Sequence, residues 1–373
     1  MLRTRLLRWV VAVALLGQAP PVLAASFTPI PDVRIPRGLS GDGSTIVGYG
    51  FSPASGSNSE ALRWSQATGV QWLGDLPGGS YSSNASAASA DGSVVVGLSI
   101  VSGQNAFRWT ELGGMVGLGT PAGYPQSSAA DVSADGSVIV GRGDTFSSLS
   151  EAFRWTEVGG FELLGVLPGR TSSRAIGVSA DGSVVAGASS GGSGSEGFVW
   201  TAETGMISLG AAYADPRAIS ADGSTIVGLS ISTGFRWTEA EGMVDLGSFR
   251  PTAVSGDGSI LAGTVSIGGV SQAFYSHPLL GLVSLQSLLQ NNYDLDLSGW
   301  TLSEVAGISD DGFTLVGRGS GPNGTQTWIA TLEVPEASTG TLLALGLSGA
   351  LVRGKPRRSV SVVGPTGSAG SAS

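Results

Sequence analysis

One nine-residue phrase returns seven times along the chain, and this repetition limits the fold more than any other feature. The copies are SGDGSTIVG from Ser40, SADGSVVVG from Ser89, SADGSVIVG from Ser133, SADGSVVAG from Ser179, SADGSTIVG from Ser220, SGDGSILAG from Ser255 and SDDGFTLVG from Ser309. Successive copies begin 49, 44, 46, 41, 35 and 54 residues apart. A period of that size marks one small unit that cannot bury its apolar faces alone, so neighbouring units must stack.

A second phrase follows each copy: EALRW to Trp64, NAFRW to Trp109, EAFRW to Trp155, EGFVW to Trp200, TGFRW to Trp237, then the worn QAFYS to Ser276 and TQTWIA around Trp328. A third comes next: VQWLGDL from Val70, MVGLG from Met115, FELLGVL from Phe161, MISLG from Met206, MVDLG from Met243 and LVSLQ from Leu282. Read as strands, each repeat supplies four. One leads into the serine, the β-branched run makes the second, AFRW alternates as the third, and MVGLG is the fourth. The Asp-Gly pairs at Asp42, Asp91, Asp135, Asp181, Asp222, Asp257 and Asp311 predict tight two-residue type I′ hairpins, with positive φ at both central residues.

Four antiparallel strands per repeat indicate an all-β fold, a seven-bladed β-propeller. The seventh repeat ends at ATLEVPE without a fourth strand, whereas SFTPIPDVRI from Ser26 precedes the first repeat as a spare one. If the N-terminal strand completes the last blade, the ring closes and no sheet edge is left over from the count. The alternative, an open β-solenoid, makes no use of that strand. The stretch from Leu285 to Ser309 breaks the rhythm; a short helical turn is expected over 285–289 and strand over 302–308.

The ends differ from the middle. Residues 1–24 carry Arg3, Arg5 and Arg8, then an apolar run, then VLA, the order of a secretory signal peptide. Residues 25–334 are the repeat domain. A segment at 335–358 combines an apolar stretch (338–352) with Arg353, Lys355, Arg357 and Arg358, and a polar tail occupies 359–373. The apolar stretch is shorter than the roughly 20 residues of a comfortable membrane span, but the cations behind it have the polarity of a stop-transfer segment. From residue 25 to residue 336, 12 basic residues face all 28 acidic ones, a net charge near −16. Such a body cannot neutralise phosphates, so nucleic acid is not an expected partner.

No catalytic or cofactor constellation emerges. With no cysteine and one histidine, thiolate or His-rich metal sites and a Cys-His dyad are excluded. A Ser-His-Asp triad would need His277, and no G-x-S-x-G elbow accompanies it. Calcium needs six to eight converging oxygens, whereas each repeat offers a single turn carboxylate, so the seven aspartates read as turn caps. Glu60, Glu151 and Glu196 recur at equivalent positions, which points to structure, because a catalytic pair breaks a repeat's symmetry. Arg63, Arg108, Arg154 and Arg236 alternate with the aromatics and are expected to cover them, with the tryptophans packing between blades.

Together, the Asp-Gly-Ser phrase and Glu60-Ala-Leu62, Asn105-Ala-Phe107, Glu151-Ala-Phe153 and Gln272-Ala-Phe274 resemble the bacterial extracellular HAF-repeat family, named for a His-Ala-Phe tripeptide. The leading histidine is never present here. The resemblance covers about residues 26–334 and implies a secreted or surface β-propeller of unassigned activity. Val334-Pro335-Glu336-Ala337-Ser338-Thr339, the apolar stretch and Arg353, Lys355, Arg357 and Arg358 resemble a PEP-CTERM sorting signal. Ala337 stands where a second proline is usual, and a polar tail follows the basic cluster. This resemblance implies transient contact with the inner membrane, processing by an exosortase-type enzyme near Pro335–Glu336, and release to the cell surface. The expected function is an exported, non-enzymatic binding or structural module contacting exopolysaccharide or surface proteins. The competing expectation is a carbohydrate-active hydrolase or lyase, for which an off-symmetry carboxylate pair would speak.

Overall fold

The computed structural model describes residues 25–79, 82–192 and 194–332. The leader at 1–24, the sorting motif from Val334 to Arg358 and the polar tail all lie outside the described residues. Within the described residues the strands form seven four-stranded antiparallel sheets. Blade two is representative, with strands Ser83–Ala88, Val94–Ile100, Gln104–Thr110 and Gly114–Gly119 in spatial order from the axis outward. The other inner strands are Ile35–Leu39, Gln126–Val132, Ser172–Val178, Ala214–Ile219, Phe249–Val254 and Thr301–Ile308.

Blade seven is completed from the other end of the chain. Strand Ala25–Ile30 pairs antiparallel with Gly324–Leu332, from Ala25 opposite Leu332 to Ile30 opposite Thr327. The molecule is therefore a closed propeller, and the open solenoid is excluded.

A circuit of backbone hydrogen bonds closes the ring a second time, at the turns nearest the axis. Ala90 N–H donates to Ala134 O, Ala134 to Ala180, and Ala180 to Ala221, at 3.0, 3.0 and 2.7 Å. Asp222 N–H then donates to Gly256 O, Gly256 to Asp310, Asp310 to Gly41, and Asp42 back to Ala90, at 2.7–3.0 Å. Each blade is thus tied to the next by an otherwise unpaired turn amide, and the circuit satisfies groups that burial would leave costly.

The turns themselves differ from the sequence expectation. Five residues, not two, separate Leu39 from Thr45. Only the glycine takes positive φ (+74° at Gly43), and the aspartate before it does not. Gly43 N–H bonds Ser40 O at 2.9 Å, so Asp42 sits inside a wider turn in which its side chain replaces a backbone partner.

The glycine that ends each phrase has a packing reason. Every inner strand carries a β-bulge one step from its partner glycine, as between Ala85 and Ala87 or Ala129 and Asp131. The bulge pushes a carbonyl toward the second strand. A methyl group at Gly97 would collide with Asn84 O, and one at Gly141 with Ser128 O and the Phe153 ring. The third-strand aromatics fill the space so opened: Phe107, Phe153 and Phe198 are fully buried, each paired across from such a glycine.

The irregular stretch holds one helix, Leu285–Asn292, capped by the Ser284 hydroxyl. Leu285, Leu288 and Leu289 pack it onto the core of blades six and seven. Gln286 clamps the return: its amide donates to Trp300 O at 2.8 Å and accepts Leu302 N–H at 3.2 Å. Because strands alternate in direction, the Asp-Gly turns share one face of the ring. The blade-to-blade links and the loops between second and third strands share the other.

Candidate functional site

The seven turn aspartates are used up locally. In each turn the phrase's first serine donates its hydroxyl to the carboxylate at 2.5–2.8 Å, for Asp42, Asp91, Asp135, Asp181, Asp222, Asp257 and Asp311 alike. The backbone N–H two residues on donates to the same oxygen at 2.9 Å. The serine hydroxyl in turn accepts an N–H from the start of the second strand, as from Val138 to Ser133 at 2.9 Å. Hydrogen bonds from Ser179 and Ser183 hold the Asp181 carboxyl down to about 2. Each carboxylate points into its own turn, and among the described residues no group of three or more His, Asp or Glu side chains converges.

The recurring glutamates and arginines serve the joints between strands and blades. Glu60 and Glu151 each accept a backbone N–H at 3.1 Å, from Gly74 and Gly165, where the fourth strand leaves the sheet. Glu196 bonds Ser208 and Arg170 instead. Arg63 lies 4.8 Å from the Trp109 ring of the next blade and pairs with Glu111 at 3.0 Å, so it covers its neighbour's tryptophan as its position implied. Trp109, Trp200 and Trp328 are buried. His277 accepts Leu279 N–H through Nδ1 at 3.1 Å and stacks on Tyr275, and burial lowers its pKa.

Buried serines form a second repeated joint that the sequence reading missed. Ser83 donates to Gly74 O at 2.7 Å and accepts Ala61 N–H at 3.0 Å, linking blade two to blade one. Ser127 and Ser173 repeat both bonds between the following blades. Their signal was available: all three stand six residues before the phrase's first serine.

Two places break the symmetry. The first is the axial channel, a cavity of about 160 Å³ walled by Gly41, Ala90, Ala134, Ala180, Ala221 and the apolar ends of the inner strands. Two carboxylates enter it, Asp131 from blade three and Asp310 from blade seven. Asp131 faces the narrow bore, away from bulk water; desolvation pushes it up to about 6 despite the Val178 N–H it accepts at 2.9 Å. Burial also raises Asp310, with Asp311 and Asp42 adding repulsion. The Asp310 side chain lies over Gly41 and against Gly256, where a β-carbon would meet it. That accounts for glycine in the SGDG copies of blades one and six: the alanine of blades two to five would crowd Asp310.

The second is the seam where the ring closes. A cleft of about 890 Å³ opens between blades seven and one, lined by Pro31, Asp32, Val33, Arg34, Phe51, Pro53, Val70, Trp72, Arg318 and Thr325. The Arg34 guanidinium sits 4.3 Å from the centre of the Phe51 ring. Arg318 reaches Glu304 at 3.6 Å through Nη1, while its Nε is buried without a partner. Of these residues only Val70, Trp72 and Thr325 fall within the repeated phrases, so no motif announced the cleft.

No family model matches the chain, and no curated protein does so. Solved structures share the fold. An oligogalacturonate lyase from Vibrio parahaemolyticus superimposes with a TM-score of 0.54 at 12% identity, over 85% of this chain and 93% of that one. A chain of the Mitotic Checkpoint Complex gives 0.50 at 14%, over 85% and 98%. A TolB from Acinetobacter baumannii gives 0.46 at 12%, over 64% of this chain and 62% of that one. The chain thus spans less than two thirds of the TolB's length. At these identities the likeness concerns the propeller alone.

Proposed function

We propose that this chain is an exported, non-enzymatic binding module of the cell surface or extracellular matrix, one that holds a surface polysaccharide. The observation that carries this is the seam cleft. It is a large opening with aromatic and guanidinium groups on an acidic ring, set on the face of links and loops. Its volume lies within the roughly 300–1,000 Å³ of ordinary ligand sites. The repeated carboxylates and serines, by contrast, are committed to turns and joints and have no free chemistry to offer.

The leader at 1–24 and the motif from Val334 to Arg358 give this module its address. In this reading an exosortase-type enzyme cuts near Pro335–Glu336 and the ring is released from transient membrane contact. The competing reading, a hydrolase or lyase, has Asp131 and Asp310 in its favour as an off-symmetry pair. The bore that holds them is fixed by the hydrogen-bonded turns and has room for waters, not for a polymer strand.

Fractionation of producing cells, with mass spectrometry of the mature ends, tests the address. The intact chain is expected in the surface or released fraction, lacking its tail, and a chain truncated after Val334 is expected to distribute differently. Identical distribution with an intact tail overturns the sorting reading. Co-sedimentation of the purified protein with the producing cell's exopolysaccharide tests the binding, and release of reducing or unsaturated sugar ends from it would favour the enzyme instead.

A further inference from the structure

The seam cleft has a chemistry of its own in this body. The net charge from residue 25 to residue 336 is near −16, and all the basic residues there are arginines. Most of these guanidinium groups are spent on carboxylates: Arg63, Arg142, Arg154, Arg170, Arg174, Arg217 and Arg236 all form ion pairs within 4 Å. Arg34 has no carboxylate partner among the described residues, and it is held over the cleft by the Phe51 ring alone. Arg318 keeps only the 3.6 Å contact with Glu304, and its Nε donor is buried and unmatched.

A second unmatched atom lies beside it. Thr327 stands opposite Arg318 across the strands of blade seven, so the two side chains share a face, the one turned to blade one. The Thr327 hydroxyl is fully buried and also has no partner. Thr327 lies behind the wall and does not line the cleft, whereas Arg318 lines it, so the acceptor that an incoming group could supply is one for the Arg318 guanidinium. A carboxylate is the group that a guanidinium fork fits best. The opposite wall presents Phe51, 45% exposed, and Trp72, flat apolar surfaces on which the C–H face of a sugar ring packs. Asp32 at the rim is the one acidic lining residue and leaves the guanidinium pair in excess.

We propose that the cleft is a subsite for a uronic-acid residue of an acidic polysaccharide. The carboxylate faces Arg34 and Arg318, and the sugar ring lies on Phe51 and Trp72. This rests on the saccharide-binding reading above and names its ligand class. The acidic remainder of the ring repels a polyanion, so the guanidinium pair fixes where and in which orientation such a chain can touch the protein.

Calorimetric titration of the purified protein with short galacturonate oligomers tests this, beside the same oligomers after reduction of their carboxyl groups. The acidic oligomers are expected to bind at least about tenfold more tightly than the reduced ones. Arg34→Gln should weaken them about tenfold with an unchanged melting temperature, and Phe51→Ala severalfold. Arg250→Gln, which removes an exposed guanidinium from a different groove, should change nothing. Equal binding of the reduced oligomers, or full affinity in Arg34→Gln, overturns the assignment. So does equal displacement of the oligomers by an acidic peptide, which would make the occupant a protein. If the galacturonate oligomers fail while the producing cell's polysaccharide still binds, the subsite falls and the binding-module reading stands. If neither binds, both fall.

Discussion

The turns around the axis and the seam between blades seven and one are built from the same repeat, yet they treat polar groups in opposite ways. Around the axis the first serine hydroxyl of each phrase and one oxygen of each turn aspartate bond within the turn, and one backbone amide of each turn bonds the next blade. At the seam a guanidinium Nε and a threonine hydroxyl are buried with none, and an arginine leans on an aromatic ring without a counter-charge. Repetition here goes with saturation: a group present seven times is one that the architecture consumes. At the seam two such unmatched groups share one strand pair, whereas the buried unpartnered atoms of Asp75, Asn84 and Ser195 stand singly elsewhere in the ring.

The sharpest way to break this comparison is to open the ring. Removing Ala25–Ile30 strips blade seven of its outer strand, takes Ile30 out of the cluster it shares with Val33 and Val316, and uncovers the Trp328 side of the neighbouring core. Loss of the cooperative thermal transition, with aggregation, is the expected outcome. A shortened chain that melts like the parent would mean the circuit of turn amides suffices alone. Next comes Gly141→Val, which drives a branched side chain against Ser128 O and Phe153. Chemical denaturation should report a loss above about 4 kcal/mol, at the diagnostic end of single substitutions.

A smaller effect sharpens the comparison at the channel. Gly41→Ala should cost on the order of 1–3 kcal/mol by overpacking against Asp310. The double variant Gly41→Ala with Asp310→Ala, which gives both turns the Ser-Ala-Asp-Gly start of blades two to five, should recover most of it. A double-mutant cycle without coupling would show that the two sites do not touch.

The gentlest test is Asp131→Asn. Its carboxyl is raised to about 6 in the fold from about 4 in the open chain, so the folded state holds the proton more tightly. That contribution favours folding below pH about 4 and is lost as pH rises to about 6. Asparagine keeps an oxygen for Val178 N–H and removes the charge. The variant should therefore melt higher than the parent at pH 7 and close to it at pH 4. A difference that is the same at both pH values would place Asp131 in contact with bulk water.

The blades, their number and their closure were legible because each depends on residues close together in sequence. The Ser-x-Asp-Gly phrase, the β-branched run and Ala-Phe-Arg-Trp fall within one repeat, and the spare strand at Ser26 was exposed by counting. The turn type was misread because Asp-Gly alone signals a short hairpin, while the serine two positions earlier widens the loop by bonding both the aspartate and the next strand. Asp131 went unnoticed because it shows only when the repeats are aligned on the position two before the serine, where Gly38, Ala87, Gly177, Ala218, Ala253 and Gly307 are all small. The seam cleft could not be read at all. Arg34, Trp72 and Arg318 are brought together only by closure of the ring, and no local pattern carries that event.

Strand Gly324–Leu332 ends beside the start of strand Ala25–Ile30, in the same antiparallel relation that three-residue turns bridge in the other blades, as Glu111-Leu112-Gly113 does in blade two. A linker of that length from Leu332 to Ala25 would make blade seven continuous, and the chain could then be cut between any other two blades. The order in which the blades are synthesised is thus separable from the wheel they make. A circular permutant opened between blades three and four would carry the seam cleft inside unbroken chain, with its walls no longer dependent on the meeting of two ends.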